Sequence, residues 1–364
     1  MPRGRQFLRN GFLMLVATFV LFALIEGMAS MALFAGSVIR TSRSMMAEIK
    51  HSVYDPEIGW VNAPNLDYPH LYASDIGITS NSRGFRGRRE TARQTPPGKH
   101  RIVCSGDSFT LGYGVRDQEA WCEQLSAMDP SIEAVNLGMG GYGIDQMYLW
   151  YRRNAPSIDH RLHILAITGT DFDRSRSAVF VGYGKPLLEV RNGALFVSNQ
   201  PVPRPSPWAP YRLKAGEAAS RFRAIELLQS LGLGLGRAAV EQLSVSRTKQ
   251  IVGAALDDIR TIGQRQSAGL LLLYIPIEVE CQGSLHDLEW REFWKQEASR
   301  LRAQFLDLTA DCAALGRQAA SKLYIHDRSR YNVNAAVGHQ NAAGHRFVAE
   351  RLLPLVKVAL APAR

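Results

Sequence analysis

Ser108 and His339 are the residues of this chain whose types and settings suit a nucleophile and its general base. Ser108 closes the stretch Arg101-Ile102-Val103-Cys104-Ser105-Gly106-Asp107-Ser108, in which an apolar run reads as a buried strand and Gly106 ends it in a turn. A serine hydroxyl is a weak nucleophile until a base takes its proton. Histidine is the side chain whose ordinary pKa suits that work near neutrality. His339 lies in Gly338-His339-Gln340-Asn341-Ala342-Ala343-Gly344-His345, which opens a final amphipathic helix running to Val358. From a loop ahead of a helix, an imidazole can reach across to a hydroxyl as general base. Each piece also has an ordinary use: Gly-Asp-Ser makes a good solvated turn, and a histidine can sit idle at a helix cap. Their value depends on whether the intervening chain brings them together.

Residues 101–360 alternate strands with helices. Strands are expected at Ile102–Cys104, Ile132–Leu137, Leu162–Thr168, Gly269–Pro276 and Phe305–Leu308, with a helix over 117–127. Near-continuous apolar strands separated by helices predict a parallel, flavodoxin-like doubly wound α/β sheet covered on both faces. Such sheets place reactive groups at the C-terminal ends of their strands. Three successive loops should therefore converge: one with Ser108, one with the glycines of Gly138-Met139-Gly140-Gly141, one with Gly169-Thr170-Asp171. An insertion over about 175–250 interrupts the alternation. It contains a hairpin over 179–199 turning at Asn192-Gly193, a proline-rich stretch, and helices over 218–231 and 248–266. It reads equally as a cap beside the site and as a structural excursion.

The 364 residues carry a net charge of +10, mostly as scattered arginine. Without a basic run or interleaved aromatics this describes a generally basic surface, not a nucleic-acid site. Residues 1–10 form a basic tail with Arg3, Arg5 and Arg9. Residues 11–39 are apolar apart from Glu26 and a few small polar residues, long enough for a transmembrane anchor. A signal peptide cleaved near Ser30-Met31-Ala32 is the competing reading. Either way the body is expected outside the cytoplasm; the anchor implies a single-pass inner-membrane protein of a bacterium, N-terminus inside. Residues 40–100 hold two turn-rich stretches, Tyr54-Asp55-Pro56-Glu57-Ile58-Gly59-Trp60 and Asn81-Ser82-Arg83-Gly84-Phe85-Arg86-Gly87, each with an embedded aromatic, as expected of a segment packed on the domain. The four cysteines lack metal-type spacing, so no metal is expected. In an oxidising compartment Cys281 and Cys312 are the pair to test, with Cys104 reading as a small core residue.

In this order the pieces resemble the SGNH/GDSL hydrolase superfamily, over most of residues 54–358. Gly106-Asp107-Ser108 resembles its first block, which makes Ser108 the nucleophile. Asn136-Leu137-Gly138-Met139-Gly140-Gly141 resembles the second, whose glycine (here Gly141) gives an N–H to the oxyanion hole beside that of Ser108. The final block selects His339 over His345 as the base. The stretches upstream of the first block resemble those of membrane-anchored, envelope-linked members. Two positions depart from the family pattern. The third block usually ends Gly-Asn-Asp, whereas Thr170 stands where the asparagine amide would be an oxyanion donor. The triad acid two or three residues before the histidine is replaced by Ala336 and Val337, leaving Asp327, or Asn334 more weakly, to loop back. The resemblance implies a cofactor-free, exported and membrane-tethered serine ester hydrolase, acting on acyl (most simply acetyl) esters of an envelope or secreted polysaccharide, with the polysaccharide machinery as partner. An O-acyltransferase on the same glycans and a catalytically degenerate glycan-binding component of an envelope complex are the alternatives.

Overall fold

The computed structural model describes residues 2–44, 50–181, 183–204 and 243–361. The apolar N-terminus forms a single helix, α1 (Pro2–Ser44), within which Arg9–Ala32 is long and apolar enough to cross a membrane. Its large side chains from Phe12 to Met31 are exposed.

The second unit begins with two antiparallel hairpins, β1 (Ser52–Asp55) with β2 (Gly59–Asn62) and β3 (Asp67–Ala73) with β4 (Ile76–Thr79). The turn-rich stretches around them bind to the body of the domain. Trp60 Nε1 donates to the Gly140 carbonyl at 2.9 Å. The buried Arg86 guanidinium donates to the carbonyls of Leu111, Gly112 and Val115 and pairs with Asp117.

Five parallel strands follow: β5 (His100–Ser105), β6 (Ile132–Asn136), β7 (Leu162–Ile167), then, after the insertion, β12 (Gly269–Tyr274) and β13 (Gln304–Asp307). Their order across the sheet is β13-β12-β7-β5-β6, all neighbours parallel. By rank of appearance that is 5-4-3-1-2, the flavodoxin order, and the expected doubly wound sheet is present. Alternate residues of each strand enter two separate cores. Val103, Val135, Leu165, Ile167, Leu272 and Tyr274 pack on one face; Ile102, Cys104, Ala134, Ile164, Ala166, Leu271 and Leu273 pack on the other. This is why the strands read as continuous apolar runs.

Between β5 and β6 lie a one-turn helix, α2 (Ser108–Leu111), and α3 (Trp121–Met128). After β6 comes α4 (Ile144–Asn154), and after β7 the short α5 (Thr170–Arg174). The insertion supplies β8 (Val179–Phe180), β9 (Tyr183–Gly184), β10 (Leu187–Arg191) and β11 (Ala194–Ser198). The β10–β11 hairpin turns at Asn192-Gly193 with both residues at positive φ, as a tight turn of that sequence requires. The helix expected over 218–231 lies outside the described residues. The next one is α6 (Val245–Arg265), held at its start by Ser244. Helices α7 (Glu278–Cys281), α8 (Leu288–Leu301), α9 (Thr309–Ala314) and α10 (Arg317–Ser321) lead to the last helix, α11 (Ala342–Leu360).

Cys281 pairs with Cys312 as expected, but Cys104 is not a free core thiol: it is bonded to Cys122. Cys104 is indeed in the core, but α3 crosses β5 with the two Cα atoms 6.4 Å apart, within bridging distance.

Candidate active site

The turn after β5 is built from its own side chains. Asp107 caps α2 by accepting from the Phe109 N–H at 2.8 Å, and Gly112 ends the helix in the left-handed conformation. Ser108 is therefore the first residue of a helix, with its Oγ at the sheet's C-terminal edge. Gly106 must be glycine, since a Cβ there would lie 2.0 Å from Thr110 Oγ1 and 2.7 Å from the Ala166 carbonyl. The neighbouring strand end is tied in: Asn136 Nδ2 donates to the Thr110 carbonyl, Asn136 Oδ1 accepts from the Gly138 N–H, and the Met139 N–H reaches Gly106.

Arg174 ties the third loop to the first. Its Nη1 lies 2.9 Å from Asp107 Oδ2 and 2.7 Å from Asp171 Oδ1, and donates to the Tyr142 carbonyl at 3.2 Å. Both carboxylates are buried. Burial first, then the nearby Asp107 charge, push the Asp171 carboxyl well above its usual range. Behind Arg174 the fully buried Lys185, from the insertion, pairs with Asp145 at 2.9 Å and donates to the Arg174 carbonyl. Neither Arg174 nor Lys185 was singled out from the sequence. An arginine four residues past Gly169-Thr170 is a visible signal, but nothing marks a lysine inside an insertion as buried.

The expected oxyanion donors occupy the ends of the three loops. Gly141 has φ +75°, and a Cβ on it would strike the Phe180 ring at 2.5 Å, so the insertion presses directly on this loop. The Ser108 and Gly141 N–H groups donate to no acceptor among the described residues. Thr170 Oγ1 lies 2.9 Å from Thr168 Oγ1 and shares a hydrogen bond with it, which engages the hydroxyl that would replace the asparagine amide.

His339 Nε2 lies 2.7 Å from Ser108 Oγ, a hydrogen bond along which a hydroxyl can pass its proton to an imidazole. The loop that delivers it is pinned by the Ile325 N–H to the His339 carbonyl and by the Gly338 N–H to the Ile325 carbonyl. Asn341, two residues on, caps α11 by accepting from the Ala343 and Gly344 N–H groups. His345 is excluded as the base: it is buried, and its Nδ1 takes the Trp121 N–H at 3.3 Å.

Among the described residues no carboxylate completes a triad, and His339 Nδ1 is buried without a hydrogen-bond partner. The Ala335 and Ala336 carbonyls favour a proton on the ring, but neither closes a bond to Nδ1. Asp327 is corrected as a candidate: its Oδ1 accepts from the Ser329 N–H at 2.8 Å and the Ser329 hydroxyl at 2.6 Å. It caps a turn in solvent because an exposed carboxylate keeps its hydration there and would lose it beside His339. The Asn334 side chain lies outside the described residues. Burial lowers the His339 pKa from 6.5 to about 4, so at neutral pH the imidazole is uncharged and can accept a proton.

No protein-family model matches the chain, and no curated protein matches it. The fold is similar to solved structures of low sequence identity. A member of the lipolytic protein G-D-S-L family from Veillonella parvula DSM 2008 is 15% identical, covering 71% of this chain and 98% of its own, with a TM-score of 0.39. The acetylxylan esterase Axe2 of Geobacillus stearothermophilus is 13% identical over 73% and 96%, with a TM-score of 0.39. The psychrotrophic esterase EstA of Pseudoalteromonas sp. is 12% identical over 72% and 99%, with a TM-score of 0.40.

Proposed function

We propose that the chain is a serine ester hydrolase of the SGNH type. The contact that carries this reading is the 2.7 Å hydrogen bond from Ser108 Oγ to His339 Nε2, formed at the C-terminal edge of a doubly wound sheet. In the first half-reaction Ser108 Oγ attacks the ester carbonyl while its proton passes to His339 Nε2. The N–H groups of Ser108 and Gly141 take the developing oxyanion; a donor of this kind is worth about 10²–10³ in rate. His339 then returns the proton to the leaving alkoxide, and an acyl-Ser108 ester remains. Water, deprotonated by His339, releases the acid and restores the serine. No step needs a cofactor.

The proposed substrate is an acyl ester, most simply an acetyl group, on an envelope or secreted polysaccharide, with the domain held outside the cytoplasmic membrane by the N-terminal helix. The apolar run Arg9–Ala32 and the two disulfides support this placement. A second reading, a catalytically silent glycan-binding component, draws on the unpartnered Nδ1 of His339. A fluorophosphonate probe separates the two. Wild type should be labelled on Ser108 and Ser108→Ala should not; a folded wild type left as unlabelled as the alanine variant excludes the hydrolase.

A further inference from the structure

A histidine base needs two things from a triad acid: an orientation, and stabilisation of the imidazolium that forms when the serine proton arrives. The His339 ring packs against two aromatic rings. The Phe109 centroid is 4.8 Å away at an interplanar angle of 34°, and the Tyr113 centroid 5.2 Å away at 25°. Turning the imidazole about its Cβ–Cγ bond, which would swing Nε2 off Ser108, drives its edge into one ring or the other. The face of an aromatic ring is also the negative end of its quadrupole and attracts a cation more than a neutral ring.

We propose that Phe109 and Tyr113 are positioning residues for His339, together supplying the orientation and charge stabilisation that a carboxylate supplies elsewhere; this deepens the serine-hydrolase reading and rests on it. Both rings grow from the nucleophile's own turn. Phe109 follows Ser108 directly, and Tyr113 stands just beyond the left-handed Gly112. One short segment therefore presents the hydroxyl and both walls of the base's slot. Tyr113 is held in turn from the N-terminal side. It is buried against Tyr72, with centroids 5.2 Å apart, and its hydroxyl meets His51 Nε2 at 3.2 Å. His51 Nδ1 meets Asn62 Oδ1 at 3.1 Å. The segment ahead of the sheet thus reaches the catalytic base through a single ring.

The other charged and titratable groups facing His339 do not replace this work. Asp107, from the β5 turn, favours the imidazolium, and Arg174, from α5, opposes it. Asp107 is already committed to Arg174 and the Phe109 N–H. His345, from α11, is uncharged near neutrality, its pKa lowered to about 3 by burial. His51 touches the far end of Tyr113, away from the stacked face.

The test uses the full chain, with ring-labelled histidine followed by NMR and His339→Gln fixing the assignment. In wild type the His339 ring protons should lie upfield of exposed histidines, shifted by the two rings. Phe109→Leu and Tyr113→Leu keep an apolar neighbour but remove the quadrupole. Each should lower the His339 pKa and slow fluorophosphonate labelling of Ser108 at neutral pH by roughly three- to tenfold. Tyr113→Phe retains the ring and should restore the pKa. Unshifted ring protons in wild type, or folded leucine variants that titrate and label like wild type, would overturn the proposal. If wild type is not labelled at all the hydrolase reading fails, while the ring-proton shifts and titration still decide whether the slot holds the imidazole as described.

Discussion

The two halves of the site are supported in opposite ways. Around Ser108 the side chains that shape the turn are tied by polar contacts: Asp107 is shared between the Phe109 N–H and Arg174, Asn136 bridges two loops, and Gly106 leaves no spare volume, while the buried Thr110 hydroxyl and the Ser108 N–H stay open among the described residues. Around His339 the ring nitrogen away from the serine has no partner among the described residues, and the positions where an acid would stand are Ala336 and Val337. A fully satisfied buried network rigidifies its members, whereas packing alone leaves protonation to the surroundings. The turn of Ser108 is held by hydrogen bonds and ions; the His339 ring is packed against aromatic rings.

The contrast can be broken most severely from the nucleophile's side. Arg174→Gln leaves the buried Asp107 without its cation, and breaking a buried pair costs about 3–5 kcal/mol. A thermal melt should move down accordingly, with Ser108 labelling falling with it. An unchanged melt would mean that Asp107 and Asp171 do not depend on Arg174. The histidine side is sharpened by pH. With the His339 pKa near 4, labelling should hold as pH falls from 7 to 5 and drop only towards pH 4; an acid limb at 6.5 would contradict the buried, neutral base. The same depression fixes a sign for stability. Between about 4 and 6.5 the unfolded imidazole binds a proton that the folded one refuses, so wild type should lose stability relative to His339→Gln as pH falls through that range. The smallest effect is expected at Asp327. It serves a local turn, so Asp327→Asn should change labelling by no more than about twofold and leave the thermal melt close to wild type. A large loss of activity there would return it to the site.

Much of this was legible in the residues. Apolar runs bounded by glycine gave the sheet, because a strand buried on both faces has no room for polar positions. The meeting of Ser108 and His339 was readable because a hydroxyl at a strand end and an imidazole ahead of a helix keep local signatures. The support around them was not. Arg174 and Lys185 act through contacts that only the folded loops create. The Cys104–Cys122 bond depends on how α3 crosses β5, which spacing along the chain does not encode. Nothing in the sequence marks Phe109 and Tyr113 as neighbours of His339, because their meeting needs the final loop to fold back. Asp327, like the weaker candidate Asn334, comes from the loop ahead of the histidine, and the structure leaves Asp327 in solvent.

Both disulfides lie in the same one of the two cores that flank the sheet. Cys104, Cys122, Cys281 and Cys312 share it with Phe109 and with the buried face of α11, the helix that His339 precedes. The opposite core, with α4, α6 and α8, has no cross-link. Closing loops of 18 and 31 residues removes freedom from the unfolded chain, by about 3–4 kcal/mol each on a chain-entropy view. Loss of structure on heating or in denaturant would then begin on the unlinked layer, and amide exchange would report α6 and α8 opening before β5 and α11. The covalent stitching therefore lies in the half of the molecule that holds the serine and the histidine in register, and the other half can loosen first.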